Sequence, residues 1–360
     1  MAGGQVVTTT RTGGALVHEP PAAPTPGREP GTRAKVLRQL TRNWVLLVLV
    51  ALIVTFWSIS GSEFFSVPDF RDILYNASES GVLAAGMTLV IIGGQIDLSV
   101  GSVLVFSSVI AAKVIVAIEG TGTTFHHPDV ALTVGLLTAV VVGTAWGALN
   151  GVLVVALKIP SFIVTLGTLG MAIGLSDVIT SGADIAGLSP TLQTAIGARQ
   201  VLGVPLLVII TAAIMVVAGI VLARTCFGRY TYAIGSNAEA ARRAGIKVGR
   251  HVVVLFTIMG LLAGVAGAMD IARFTTTSVI AHGADNLIAI AAVVIGGASL
   301  FGGSGTMFRT AIGVLIPAVL TTGLIIANVQ SFWQEVIIGA ILICAVAIDN
   351  VKRSSETKAG

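Results

Sequence analysis

The chain has 360 residues, of which 54% are hydrophobic and 11% charged, with 43 glycines and a net charge of +4. This excludes a water-soluble globule, whose composition runs to about 25% charged residues. The sequence reads as an all-α polytopic membrane protein, and its small positive charge reflects sidedness rather than nucleic-acid binding.

Residues 1–31 are rich in Pro, Gly, Thr and Ala without an apolar period, so a disordered cytoplasmic tail is expected there. It is too long and polar for a cleaved secretory signal, so the first span should remain in the mature protein. In residues 32–43, Arg33, Lys35, Arg38 and Arg42 interleave with Val36, Leu37 and Leu40. This basic juxtamembrane segment is either a short helix on the lipid of the inner leaflet or an ordinary flank of the first span.

The apolar, membrane-spanning region runs over 44–349. About ten stretches are long enough to cross the hydrocarbon layer as helices: 44–60, 79–95, 99–118, 130–157, 161–180, 202–222, 251–272, 286–301, 310–328 and 332–349. With ten spans, 17 of the 21 Lys and Arg residues fall on one side, the exceptions being Arg71, Lys113, Arg199 and Arg273. The positive-inside bias makes that side the cytoplasm, and both termini, including the tail 350–360, fall there.

Between the second and third spans lies Gly93-Gly94-Gln95-Ile96-Asp97-Leu98-Ser99. A carboxylate at membrane depth costs roughly 2.5–3.5 kcal/mol on insertion scales, so Asp97 needs a compensating role. It either contacts a translocation pathway, with Gln95, Ser99 and Asn150, or caps the free amides of the third span. Asp97 is the only carboxylate these spans place well inside the bilayer. Gly143, Gly147 and Gly151 recur every fourth residue, a pattern that lets helices approach closely, and Asn150 beside them is suited to bonding a neighbouring helix. Gly296-Gly297 follows a Val/Ile run just as Gly93-Gly94 does, which hints at two related broken helices.

The basic loop 223–250 carries Ser236-Asn237-Ala238-Glu239, which fits a capping box. Ala240, Ala241, Arg242, Arg243 and Ala244 favour helix, and Gly245 supplies a left-handed stop. A helix of about two turns is not stable alone in water, so it docks either on this chain's own inner face or on a partner.

Some chemistries find no support. Cys226 and Cys344 do not form a disulfide framework, one lying in the inner loop and the other in the last span. His126-His127 lacks further ligands at metal spacing, and no Lys follows Gly as a phosphate-binding loop requires. If transport is uphill, the energy arrives from a partner at the inner surface.

Ile96-Asp97-Leu98-Ser99-Val100-Gly101-Ser102 resembles the signature of the permease subunits of ribose- and xylose-type ABC sugar importers. Three further blocks match in the same order: Gly147-Ala148-Leu149-Asn150-Gly151 with 159–167, then 228–237 with Ala240-Ala241 and Gly245-Ile246, then 296–306. The resemblance covers roughly 40–350. It implies a homodimeric or heterodimeric permease in the bacterial inner membrane. Such a permease would receive a monosaccharide or related polyol from an extracytoplasmic binding protein and move it by alternating access. It also implies that ATP and Mg are held by a separate ATP-binding subunit and that this chain holds no cofactor. Ser236, Asn237, Glu239, Ala240, Ala241, Arg242 and Gly245 would form the helix that couples to the ATPase. Gln95 and Arg309 stand where the family often has Gly. A secondary carrier working alone is the alternative reading.

Overall fold

The computed structural model describes residues 44–61, 64, 66–120, 126–280 and 282–330, together with 333, 334, 336, 337, 339, 340 and 343. The segments 1–31, 32–43 and 350–360, Cys344 and most of the expected span 332–349 lie outside the described residues.

The described residues form twelve α-helices. They are α1 (Trp44–Ser60), α2 (Val67–Ile92), α3 (Val100–Glu119), α4 (Pro128–Leu157), α5 (Ser161–Thr180), the short α6 (Pro190–Leu192), α7 (Leu206–Arg224), α8 (Cys226–Ser236), α9 (Ala238–Arg243), α10 (Val248–Phe274), α11 (Asp285–Ile295) and α12 (Met307–Ile326). A π-helical turn, Gln193–Gly197, follows α6. Before α7, β1 (Gln200–Val201) and β2 (Val204–Pro205) pair antiparallel around Leu202 and Gly203. Both of those residues have positive φ, the backbone of a tight hairpin turn.

The expectation of ten spans is overturned. Six of the described helices are long and apolar enough to cross a membrane: α3, α4, α5, α7, α10 and α12. The reasons are local. Helix α1 is apolar but has only 17 residues. The stretch 79–95 begins midway along the 26-residue α2 and runs past its end, and the helix carries Asp69, Arg71, Asp72 and Glu79 in its first thirteen residues. The stretch 286–301 contains only the 11-residue α11, which at about 1.5 Å per residue covers roughly half of a hydrocarbon layer about 30 Å thick.

Helix α10 is the centre of the bundle, packed along α4 and flanked by α3 and α2. Gly143, Gly147 and Gly151 of α4 meet Val253, Phe256, Gly260 and Gly264 of α10 backbone to backbone. A Cβ on Gly260 would sit 2.6 Å from the Cα of Gly147 and would collide with the carbonyl of Gly143. Without a hydrophobic force between helices in lipid, such close approach is what brings them together.

The bundle has two chemically distinct ends. One carries Lys158, Arg224, Arg229, Arg242, Arg243, Lys247, Arg250 and Arg309, at the turns around α8 and α9 and the adjoining helix ends. The other gathers Glu79, Glu119, Asp270 and Asp285, with Arg273.

Gly260→Ala is expected to lower the thermal unfolding midpoint in detergent, since overpacking a tight core costs about 1–3 kcal/mol. Gly170→Ala in α5, where an added Cβ meets nothing within 4 Å, should leave it unchanged or raise it. Equal effects from the two would refute the α4–α10 seam.

Candidate functional site

The first break follows α2. Gly93 and Gly94 end the helix with Gly94 at φ 73°, Gln95 N bonding Val90 O and Gly94 N bonding Ile91 O. The same pattern recurs after α11, where Gly297 has φ 85°, Ala298 N bonds Val293 O and Gly297 N bonds Val294 O. Both are left-handed glycine caps that satisfy the last carbonyls of a helix. The two breaks hinted at by the Gly-Gly pairs thus share one local geometry.

Past the first cap the chain is irregular, and its backbone is served by side chains of neighbouring helices. Ile96 N donates to Ser161 Oγ (3.1 Å) and Leu98 N to Thr165 Oγ1 (3.0 Å), both on α5. Leu98 O accepts from Asn286 Nδ2 of α11 (3.2 Å). The Asp97 carboxylate accepts from Ser99 N (2.8 Å) and Ser99 Oγ (2.6 Å), and Ser99 Oγ in turn accepts from Asn150 Nδ2 (2.9 Å). Asp97, Ser99 and Asn150 are all buried, so three of the four residues picked out as pathway candidates form one chain of hydrogen bonds. Gln95 stands apart from it, half-buried. The carboxylate does not cap the first-turn amides of α3. It closes a turn on the residue two positions ahead, an Asx-turn, and fixes Ser99 at the helix start. Asn150 Oδ1 and, one helical turn away, Trp146 Nε1 are buried without a hydrogen-bond partner among the described residues.

The two breaks touch the same segment. Gly235, near the end of α8, lies against the carbonyl of Ile92, the last residue of α2, and against Gly303 N, 2.6 Å from where its Cβ would stand. Gly303 N itself donates to Ile92 O (2.9 Å), Tyr232 Oη donates to Gly305 O (2.7 Å), and Gly94 is packed on Gly235 and Gly302. Three stretches of backbone meet here with no side chain between them.

Helix α9 follows directly. Its cap is Asn237, whose Oδ1 accepts from Ala240 N (2.9 Å), and not Ser236, whose hydroxyl bonds Tyr232 O inside α8. Glu239 does not reach back to the cap. It pairs with Arg242 (2.7 Å) and Arg243 (3.2 Å), so the expected capping box is not formed. The stop is as expected: Gly245 has φ 86° and Ile246 N bonds Ala241 O (3.0 Å). Only Ala241 of α9 is buried, while Ala240, Glu239 and both arginines stand exposed.

At the acidic end sits a group of charges that sequence reasoning missed, and Asp97 is therefore not the only buried carboxylate. Arg273 of α10 bonds Glu79 (3.3 Å) and Asn76 (3.1 Å) of α2 and lies over the rings of Tyr75 and Phe274. His282 bridges Asp270 (3.1 Å) and Asp285 (2.7 Å). Burial favours the neutral ring, but hydrogen bonds and charge from both aspartates outweigh it and push its pKa up to about 11. The two carboxylates lie on opposite ring nitrogens and do not converge on a common point. Among the described residues no cluster of His, Cys, Asp and Glu could hold a metal ion. A usable signal existed: Asn76 with Glu79, and Asp270 with Arg273, place polar side chains three residues apart on one helix face.

Long apolar helices, two broken helices and a shared contact at one end define a membrane transport protein. A family profile described as "Branched-chain amino acid transport system / permease component" matches residues 70–346. The ribose import permease protein RbsC of Escherichia coli (strain K12) is 36% identical over 327 residues, covering 88% of this chain and 97% of that protein. RbsC of Bacillus subtilis (strain 168) is 37% identical over 318 residues (88% and 94%), and the fructose import permease protein FrcC of Rhizobium meliloti 35% over 314 (84% and 84%). No solved structure gives a match. The chain belongs to this family of transport-system permeases: it is a multi-pass membrane subunit that transports and does not catalyse.

Removing one partner of a buried pair costs about 3–5 kcal/mol, because the other charge is left uncompensated. Arg273→Ala should therefore destabilise strongly, and Arg273→Ala/Glu79→Gln should recover much of the loss; additive losses in a double-mutant cycle would refute the pairing. The imidazolium of His282 stabilises fully below the unfolded value near 6.5, and this contribution fades as pH rises toward about 11. Thermal stability should thus decline from pH 7 to 9 in the wild type and decline less in His282→Gln.

Proposed function

We propose that this permease subunit imports a monosaccharide, delivered by an extracytoplasmic binding protein, with ATP hydrolysed on separate subunits docked at the basic end. That end faces the cytoplasm by the positive-inside bias. The named relatives import ribose and fructose, and a third, 34% identical over 304 residues, is the D-allose transport system permease protein AlsC of Escherichia coli (strain K12). The family description names branched-chain amino acids, but these sugar permeases match over nearly their whole length, which favours a sugar. The complex would hold two permease copies around one path.

The observation that carries the mechanism is the backbone contact of Gly235 with Ile92 and Gly303. Helix α9, anchored through Ala241 and otherwise exposed, offers Glu239, Ala240, Arg242 and Gly245 to an ATPase. A push on it would pass through Gly235 to the end of α2 and to the loop after α11, backbone against backbone. The solute path then switches between outward-open and inward-open arrangements, and no covalent step touches the sugar. Asp97, Ser99 and Asn150 keep the first break in one shape while its neighbours move.

The test is uptake of labelled ribose, allose and fructose into proteoliposomes holding the permease, its ATPase and its binding protein. Uptake should require ATP and a functional ATPase; equal uptake without the ATPase would establish a carrier acting alone. Gly235→Ala should cut uptake at least about tenfold while the ATPase still co-purifies. Asn237→Ala removes a cap worth about 1 kcal/mol and should impair uptake more than Glu239→Ala, which breaks exposed pairs worth only about 0.3–0.5 kcal/mol. Wild-type uptake in both Gly235→Ala and Asn237→Ala would sink the coupling assignment.

A further inference from the structure

At the basic end, a groove of about 370 Å³ lies between α8 and the start of α10. Its size falls within the range of small-molecule sites, about 300–1,000 Å³. Phe227 and Tyr230 of α8 form one wall, and Lys247, Arg250 and Val254 line the other. Among the described residues no Asp or Glu lines it.

Two features separate these cations from the other basic residues nearby. Arg242 and Arg243 are paired with Glu239, and Arg229 bonds Cys226 Sγ (2.9 Å). Lys247 and Arg250 have neither an ion pair nor a side-chain hydrogen bond among the described residues, and both are exposed. Beyond the groove lies an exposed apolar strip on α10. Val254 and Leu261, one and three turns beyond Arg250 on the membrane-spanning α10, are exposed large apolar side chains on a helix otherwise mostly buried. A ligand here meets two free cations and two aromatic rings at the water boundary, and an apolar stripe behind them.

We propose that this groove binds an anionic phospholipid, its phosphate held by Lys247 and Arg250, its glycerol region against Tyr230 and Phe227, and an acyl chain along Val254 and Leu261. Charge and polarity change along the groove in the order in which they change along such a lipid. Basic pockets on the cytoplasmic side of membrane helices recognise anionic headgroups by this logic, and the first-turn amides of α10 add a favourable field for the phosphate. The headgroup would sit where α8 and α10 meet, next to the Gly245 stop of α9, so lipid composition would bear on the position of the docking helix.

The test is lipid retention by the full-length protein in native mass spectrometry, after exchange into mixed micelles of phosphatidylglycerol and phosphatidylcholine. Phosphatidylglycerol should be retained preferentially. Lys247→Ala/Arg250→Ala should weaken that retention about 30-fold, equivalent to about 2 kcal/mol at roughly 1 kcal/mol per basic residue. Its unfolding midpoint in phosphatidylcholine alone should match the wild type. If the alanine variant unfolds, Lys247→Gln/Arg250→Gln gives the same readout with more of the side chains kept. Equal retention of the two lipids, unchanged retention in the variant, or displacement of the lipid by millimolar inorganic phosphate would each overturn the proposal. So would loss of ATPase co-purification from the variant with lipid retention intact, which would give the groove to the partner subunit.

Discussion

Inside a hydrocarbon layer each unpaired backbone N–H or C=O costs several kcal/mol, and a chain that leaves the helical state there must find a partner for every group it frees. The segment 93–99 answers much of that demand. Glycine capping returns the last amides to carbonyls of α2, Ser161 and Thr165 of α5 accept from Ile96 and Leu98, Asn286 of α11 donates to Leu98, and Asp97 closes on Ser99. The partners come from three helices, so the break exists only once the bundle is assembled. Helix α5 and the start of α11 are thereby fixed to the end of α2 by polar bonds, whereas the α4–α10 seam rests on packing alone.

This explains the weight on small residues at the basic end. A break satisfied by side chains could reach the next element only through those side chains, which rotate. At Gly235 the chain instead brings α8 onto the Ile92 carbonyl and the Gly303 amide directly. Backbone contact transmits displacement with little slack, because neither side has a rotamer to change. The loop that follows the second break is held by the same atoms, so the end of α2, Gly302 and Gly303, and the end of α8 meet in one backbone contact. A transporter that switches between two arrangements needs such a unit, since a soft link would dissipate the displacement before it reached the bilayer interior.

How much of this was legible in the sequence depended on whether the signal was local. The long apolar runs of α3, α4, α5, α7, α10 and α12 were readable from composition, and the α4 glycine stripe from its spacing. Length in the apolar sense was a poor guide where a helix stops early: 286–301 is apolar apart from Asn286 and Ser299, yet α11 ends at Ile295 because Gly296 and Gly297 take up the cap. Nothing in hydropathy distinguishes an apolar loop from an apolar helix when both are buried in protein. The cap of α9 was ambiguous for a different reason. Ser236 and Asn237 are both good N-caps, and the choice fell to Asn237 because α8 extends through Ser236, whose hydroxyl is already engaged with Tyr232 O. The acidic-end network was hidden because its members are far apart in sequence, from Asn76 to Asp285, and only the packing of α2 on α10 brings them together.

The two ends also differ in how they hold charge, and the difference bears on what each can do. At the acidic end the charges are largely shielded from solvent and paired, Arg273 with Glu79 and His282 with two aspartates, so separating α2 from α10 there breaks the Arg273–Glu79 pair. At the basic end the charges of α9 are exposed and only loosely paired, worth a few tenths of a kcal/mol each. A partner can replace those pairs at little cost. The bundle thus holds its charges against one another at the acidic end and leaves them open to exchange at the basic end.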